Sequence, residues 1–153
     1  MSYVTELQTI YENEDSTGEF LFFDDISADR QIIEKAADVS SFCVLNDTLE
    51  SPAEILDNYN IIQDTTFVIH FLKFDKEDNT PLSTQVLIDA CRQLSINTIA
   101  RFSATSKILL TDTERRLSYS MNNVRKIWGE RLSGVTLRVR APFIYLPQLC
   151  TKN

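Results

Sequence analysis

Three stretches decide the fold: TFVIHFLKF at residues 66–74, the capping sequence NTP at residues 79–81, and VTLRVRAPF at residues 135–143. The first stretch is apolar on both of its faces, which is typical of a strand in the middle of a sheet. In the second, a polar pair precedes a proline that suits the first turn of a helix, so a long helix is predicted over about residues 80–104. The third alternates between apolar and polar residues, which predicts a strand with one buried and one solvent-exposed face.

Weaker patterns predict the remaining elements. They are helices at residues 3–13 and 28–37, strands at 20–23, 39–45, 60–74 and 116–128, and an acidic loop at 46–58. We expect a bend or a bulge at Gln63-Asp64, and a bulge near Asn122-Asn123, where the alternation changes phase. The inward stripe of the long helix is predicted from helical spacing to consist of Leu87, Cys91, Leu94, Thr98 and Phe102. The class is therefore α+β, a single domain over residues 1–153 in which a mixed or antiparallel sheet is packed by the long helix and by shorter N-terminal helices.

Composition places the chain among ordinary globular proteins. It has 153 residues, of which 43% are hydrophobic and 24% charged, as is usual for one domain. We expect no membrane partner, because no apolar run approaches the roughly 20 residues that span a bilayer. The first residues lack the basic and apolar regions of a secretion signal. Three widely spaced cysteines fit a reducing compartment, so we expect the protein in a cytoplasm or in a particle assembled there.

Signals for catalysis, cofactors and metals are weak. Only three glycines occur, and no two have the spacing of a phosphate-binding loop. His70 is the only histidine; it lies in an apolar strand, and no nucleophile motif accompanies it. The acidic run at 75–79 resembles a calcium loop, but Thr80 and Val86 stand where an EF-hand needs glycine and glutamate. We expect no catalytic residue, no cofactor and no metal.

The charge is divided unevenly along the chain. Residues 1–80 carry 18 acids and four bases, a net charge of −14, and residues 81–153 carry four acids and 11 bases, a net charge of +7. One interpretation is that the two halves fold together and partly neutralise each other. Another is that opposite poles face different ways, so that copies meet head to tail. A third is a nucleic-acid surface in the second half, although its bases are dispersed, and sequence-specific nucleic-acid binding is not expected.

Six residues are candidates for an interaction surface. Arg138 and Arg140 project from the wet face of the last predicted strand and form a basic stripe suited to an acidic loop of a neighbouring subunit. The loop candidates are Asp75, Glu77 and Asp78, just before the long helix. Trp128 closes the preceding strand and is either a core residue or an interface anchor. The simpler interpretation is that the two arginines lie on the solvent-exposed face of an edge strand and bind no partner.

The order of strand, acidic loop, helix and two-stranded ribbon resembles small tail-completion and neck proteins of tailed bacteriophages, of the kind found in phages or prophages of Bacteroides-like bacteria. About half of the chain carries the resemblance. Its parts are residues 67–74, 75–81, the helix with Arg92-Gln93-Leu94 and Phe102, residues 124–128 and residues 132–137. The match is one of residue types and their order, and residues 1–60 lie outside it.

This resemblance implies a non-enzymatic virion subunit that forms a closed ring at the head–tail junction or at the tail end. Its expected partners are copies of itself and other tail or neck proteins, in the host cytoplasm during assembly and then in the virion. One rival is an acidic inhibitor or immunity protein that masks a basic partner. A second rival is a magnesium-dependent nuclease built on Asp24 and Asp25, which follow a predicted strand.

Overall fold

The computed structural model describes residues 2–23, 41–46, 51–56, 59–110, 116–126 and 131–146. The two helices in this part are α1 (Tyr3–Glu14) and α2 (Pro81–Thr105). The strands are β1 (Glu19–Phe23), β2 (Ser41–Asn46), β3 (Ala53–Ile55), β4 (Ile61–Phe74), β5 (Ser118–Lys126) and β6 (Leu132–Tyr145). The predicted helix at 28–37 lies outside the described residues.

Both helices begin at hydroxyl caps. The Ser2 side chain accepts a hydrogen bond from the backbone N–H of Thr5 at 3.4 Å, and Thr80 accepts one from Ser83 at 3.2 Å. Such a cap satisfies one of the backbone donors that the first helical turn leaves without a partner. Pro81 follows in the first turn of α2, where its missing N–H removes no helical hydrogen bond.

The described strands form a mixed sheet in the order β1-β2-β4-β6-β5, and β3 also pairs with β4. The β1–β2 pair is parallel, whereas β2, β3 and β6 run antiparallel to β4, and β5 antiparallel to β6. The α+β class with a mixed sheet agrees with the sequence prediction. All 14 residues of β4 pair with β6, which makes this ribbon the centre of the molecule.

One face of the sheet, which we call the helix-covered face, packs against α1 and α2. Its central side chains are fully buried: Cys43, Leu45, Phe67, Ile69, Phe71, Val135, Leu137, Val139 and Phe143. Tyr3 of α1 lies between two of them, with ring centroids 4.9 Å from Phe67 and 5.1 Å from Phe143. Stacked aromatic rings at this distance add to the stabilisation that burial provides.

The opposite face, which we call the open face, is divided into two parts. Toward β1 it carries a smaller buried apolar cluster of Leu21, Phe42, Val44, Leu72 and Leu132. Farther along the β4–β6 ribbon it carries the polar side chains of Asp64 and Thr66 on β4 and of Arg138 and Arg140 on β6. These residues share the open face because successive side chains of a strand point to opposite faces. β4 is thus central, as its two apolar faces predict, but the open face at Thr66, Val68 and His70 is only half-buried.

β4 and β6 approach each other closely at Gly134. A Cβ atom at this position would lie 2.0 Å from the backbone oxygen of Phe71. That distance is far inside van der Waals contact, so the position requires glycine and the two strands meet there without an intervening side chain.

Several sequence predictions are wrong in detail. The segment predicted as a loop at 46–58 contains β3, since Ala53–Ile55 pairs with Ile61–Gln63. No bulge occurs at Gln63-Asp64, because the pairing of β4 with β6 is continuous from Ile61 to Phe74. The bulge expected near Asn122-Asn123 is also absent, because the register of β5 runs without a break from Ser118 to Val124. A change in hydrophobic phase on a largely exposed strand does not require a bulge.

The inward stripe of α2 is rotated slightly from the predicted one. The buried residues are Thr84, Ile88, Cys91, Ser95, Thr98, Ile99 and Phe102. Leu87 and Leu94, which we predicted to be central, are half-buried and flank this stripe. The hydroxyl residues Thr98 and Ser95 can lie at the centre of this buried stripe because their side chains donate to backbone oxygens of the helix itself, at 2.8 and 2.7 Å. Neither helix of the described part combines the length and apolarity that a membrane crossing requires.

Candidate interaction surface

Arg138 and Arg140 both lie on the open face of β6 and are exposed. Cross-strand pairing fixes their neighbours. Arg138 stands between Val68 of β4 and Ser120 of β5, and Arg140 stands between Thr66 and Ser118. Side chains directly opposite each other have Cβ atoms about 4.5–5.5 Å apart. Two guanidinium groups therefore emerge from a field of three small hydroxyl side chains.

These side chains line a concave region of about 620 Å³ on the open face. Its rim runs across the sheet from Pro52, through Asp64 and Thr66 of β4, to the start of β5. We call this region the arginine concavity. Guanidinium and hydroxyl groups are donors to carboxylate or phosphate oxygens, so an oxyanion is the chemistry that this arrangement fits.

The two arginines differ in their existing partners. Arg140 makes an exposed ion pair with Asp64, with Nη2 to Oδ2 at 3.2 Å. Arg138 makes no hydrogen bond or ion pair within the described part of the chain. An exposed pair contributes about 0–1 kcal/mol, so Arg140 exchanges its partner at little cost. Arg138 is already available to an incoming anion.

His70 borders the polar part of the open face but is held within the sheet. Its Nδ1 lies 2.6 Å from Thr136 Oγ1, and its Nε2 lies 3.4 Å from the side-chain nitrogen of Asn46. Burial lowers the pKa of His70 to about 4, because the charged imidazolium loses hydration in the protein. The ring is therefore neutral at physiological pH and adds no positive charge to the arginine concavity.

The acidic turn after β4 contains one structural carboxylate. Asp75 is 1% exposed, and its oxygens accept from Asn79 Nδ2 at 2.7 Å, Thr84 Oγ1 at 2.9 Å and Ser133 Oγ at 2.7 Å. Burial alone would raise its pKa, but these hydrogen bonds outweigh that effect and hold the pKa below the usual aspartate value. Asp75 ties β4, α2 and β6 together, and this role corrects its prediction as a surface contact.

In contrast to the buried Asp75, Glu77 and Asp78 are exposed to solvent. Neither of their carboxylates makes a hydrogen bond or ion pair with another described residue. Lys126 reaches only the backbone of this turn, with Nζ 3.3 Å from the Glu77 oxygen and 3.4 Å from that of Lys76. These two acids form the acidic patch considered below.

The acidic and basic halves of the sequence meet within the fold. The ion pair between Arg101 and Glu14, at 3.0 Å, joins the two halves, as does the pair between Arg140 and Asp64. Partial internal neutralisation, one of the three interpretations of the charge pattern, is thus present. Among the described residues, it leaves Arg138 and the acidic patch without an oppositely charged partner.

Three predicted residues lie outside the described part of the chain: Trp128, Asp24 and Asp25. The anchor and nuclease hypotheses that depend on them stay predictions. Within the described residues there is no group of three histidine, cysteine or acidic side chains that could hold a metal ion. Cys43 and Cys91 are buried free thiols, and burial raises the pKa of Cys91 to about 12.

Sequence reasoning missed the neighbours of the arginines. Asp64 precedes Arg140 by 76 positions, and Ser118 and Ser120 belong to another strand. Only the pairing and register of the strands bring them together, and the hydrophobic pattern of one sequence does not show which strands are neighbours. The usable signal was the alternation of residues 135–143, which correctly placed both arginines on one face.

The comparisons with known proteins add no relative from which a role can be transferred. No protein-family model matches the chain, and no curated protein matches its sequence.

Proposed function

We propose that this protein is a non-enzymatic structural subunit that associates with copies of itself into a closed ring. The observation that carries the proposal is a pair of oppositely charged surfaces, the arginine concavity and the acidic patch, in which Arg138, Glu77 and Asp78 make no ion pair with another described residue. Arg138 pairs with Val68, and the acidic patch begins three residues after the end of β4 at Phe74. At about 3.3 Å per residue, the two surfaces are roughly 20–30 Å apart.

Unlike surfaces on one subunit favour a heterologous contact, in which the arginine concavity of one copy receives the acidic patch of the next. Contacts of this kind generate rings when the rotation between copies closes, and open filaments when it does not. The separation of the two surfaces also keeps Arg138 from neutralising Glu77 within one subunit, because their side chains together are too short to meet. Charge complementarity then steers copies together and fixes the register of the contact.

A position at the head–tail junction or tail end of a phage particle is the more specific part of the proposal. Its support is the resemblance to tail-completion and neck proteins, which is carried by residues 67–81, the following helix, residues 124–128 and residues 132–137. On this proposal α2 is the main support of the sheet, and its 25 residues span about 37 Å. The partners are further tail or neck proteins, and the protein resides in the host cytoplasm before it enters the virion.

Charge exchange between the two surfaces tests the proposal. Arg138→Glu and Glu77→Arg should each weaken self-association by at least about tenfold, because each places like charges together. The double variant, which carries both changes in every copy, should regain association, since the pair is restored with reversed polarity. Sedimentation velocity measures the sizes, and negative-stain microscopy shows whether they are rings.

The matched control is Lys107→Glu, which makes the same change of charge at an exposed residue away from both surfaces. Raising the salt concentration from about 0.1 to 1 M shortens the Debye length from about 10 to 3 Å and should dissociate the wild-type assembly. A strict monomer under all conditions, or a double variant no better than either single one, contradicts the proposal. One-to-one binding of a monomer to a basic protein would favour the inhibitor instead.

A further inference from the structure

β5 forms an edge of the described sheet. It is nine residues long, six of them are exposed, and its only strand partner among the described residues is β6. An edge strand presents a row of N–H and C=O groups that can pair with a further strand. The β5 edge therefore offers hydrogen bonds to an extended peptide at no cost to the existing sheet.

The side chains of β5 differ on its two faces. On the open face Ser118, Ser120 and Asn122 are small or polar and exposed. On the other face Tyr119 is 44% exposed and Met121 is half-buried. A strand added to β5 would have one row of side chains beside the serines and the alternate row beside Tyr119 and Met121.

The arginine concavity reaches the first of these rows. Arg138 stands directly opposite Ser120, and Arg140 opposite Ser118. A strand added to β5 lies two spacings from β6, about 9.6 Å, and the serines between them are too short to obstruct an arginine side chain. Alternate residues along a strand are about 6.6 Å apart, so two carboxylates at alternate positions match the spacing of the two arginines.

From this geometry we propose that the β5 edge binds an extended segment of a partner protein as an additional strand, in which acidic residues alternate with apolar ones. The acidic side chains contact Arg138 and, after exchange with Asp64, Arg140. The apolar side chains cover Tyr119 and Met121. This inference goes beyond the proposed ring, since it names the chemistry of a companion at the same arginines, which bind either the acidic patch of a neighbouring copy or this strand.

A peptide fits this edge better than a nucleic acid does. Phosphates satisfy arginines and backbone N–H groups, but they supply no donors for the backbone C=O groups of the edge, whereas a strand supplies both donors and acceptors. Edge pairing also gives affinity through the main chain while alternate side chains give specificity. A partner strand with basic residues in place of acidic ones would meet Arg138 as a like charge.

The test uses a fluorescein-labelled eight-residue peptide in which glutamate and valine alternate. Its matched control has the same composition with the four glutamates grouped together, so that carboxylates fall on both faces of a strand. The protein carries Glu77→Arg, which blocks self-association through the acidic patch and leaves Arg138 intact. We expect the alternating peptide to raise fluorescence anisotropy, the grouped peptide to bind at least about tenfold more weakly, and Arg138→Ala to lower affinity by a similar factor while Lys107→Ala does not.

Hydrogen exchange distinguishes strand addition from simple charge attraction. Binding should slow exchange of the β5 amides that point away from β6, and a peptide N-methylated at the alternate amides that would face β5 should lose binding. Absence of binding, binding without protection of β5, or equal competition by a single-stranded oligonucleotide overturns the inference. If wild-type protein forms rings and the peptide fails, this inference falls alone; if the peptide binds and no ring forms, the ring proposal falls and this inference stands.

Discussion

The two faces of the central ribbon use the same strands for different purposes. On the helix-covered face, Phe67, Leu137 and Val139 are fully buried. On the open face, their immediate neighbours Thr66, Arg138 and Arg140 are half-buried or exposed. Since the backbone is shared, the difference comes from the side chains alone. Along these positions the difference predicts that truncation costs more stability on the helix-covered face than on the open face, which is free to carry charge.

Adjacent residues on one strand make this comparison measurable. Phe67→Ala removes a fully buried ring that stacks on Tyr3, and such a truncation lowers the free energy of unfolding by about 3–5 kcal/mol. Thr66→Ala, its neighbour on the open face, should change stability by less than about 0.5 kcal/mol. Urea unfolding followed by circular dichroism measures both variants. Similar losses for the two would mean that the faces do not divide stability in this way.

The sequence predicted the helix-covered face better than the open one. The run at residues 66–74 and the alternation at 135–143 identified β4 and β6, because burial of apolar side chains imposes a period that a single sequence displays. The capping residues near Pro81 correctly located the start of α2. In each of these cases a local physical requirement leaves a local signal.

The open face depends on relations that are not local. Asp64 meets Arg140, and Ser120 meets Arg138, only through the register of β4, β5 and β6. Asp75 illustrates the same limit: its acidic neighbours suggested a solvated turn, but its carboxylate is buried by hydroxyls from α2 and β6. A one-residue shift in register would move each of these contacts to the other face, so composition and spacing could not specify them.

His70, on the open face, makes the stability of the protein depend on pH, because burial disfavours its charged form. Its pKa is lowered from 6.5 to about 4 by burial, so between these values the unfolded chain binds a proton that the folded protein does not. Stability is therefore fully present above pH 6.5 and falls as the pH drops toward 4, by on the order of 3 kcal/mol.

His70→Gln, which retains a polar group beside Thr136, should flatten the dependence of the unfolding free energy on pH between 6.5 and 4. Urea unfolding of the wild type and the variant across this range isolates the contribution of His70, because other groups titrate equally in both. If the two curves stay parallel, the imidazole is not excluded from its charged form by the fold.

Asp75 directly follows β4 and is buried, whereas Glu77 and Asp78 in the same turn are exposed. Mutation of Asp75 should therefore lower the free energy of unfolding, and mutation of its exposed neighbours should not. Asp75→Ala leaves the donors of Asn79, Thr84 and Ser133 without their acceptor, which should cost about 2 kcal/mol. Glu77→Ala should cost less than about 0.5 kcal/mol and weaken self-association instead.

Because the folded pKa of Asp75 is lowered, its contribution to stability is present above the ordinary aspartate pKa and is lost as the pH falls through the folded value. Urea unfolding at neutral pH and below pH 4 checks both statements: the difference between wild type and Asp75→Ala should shrink in acid, and a constant difference would assign the loss to packing alone.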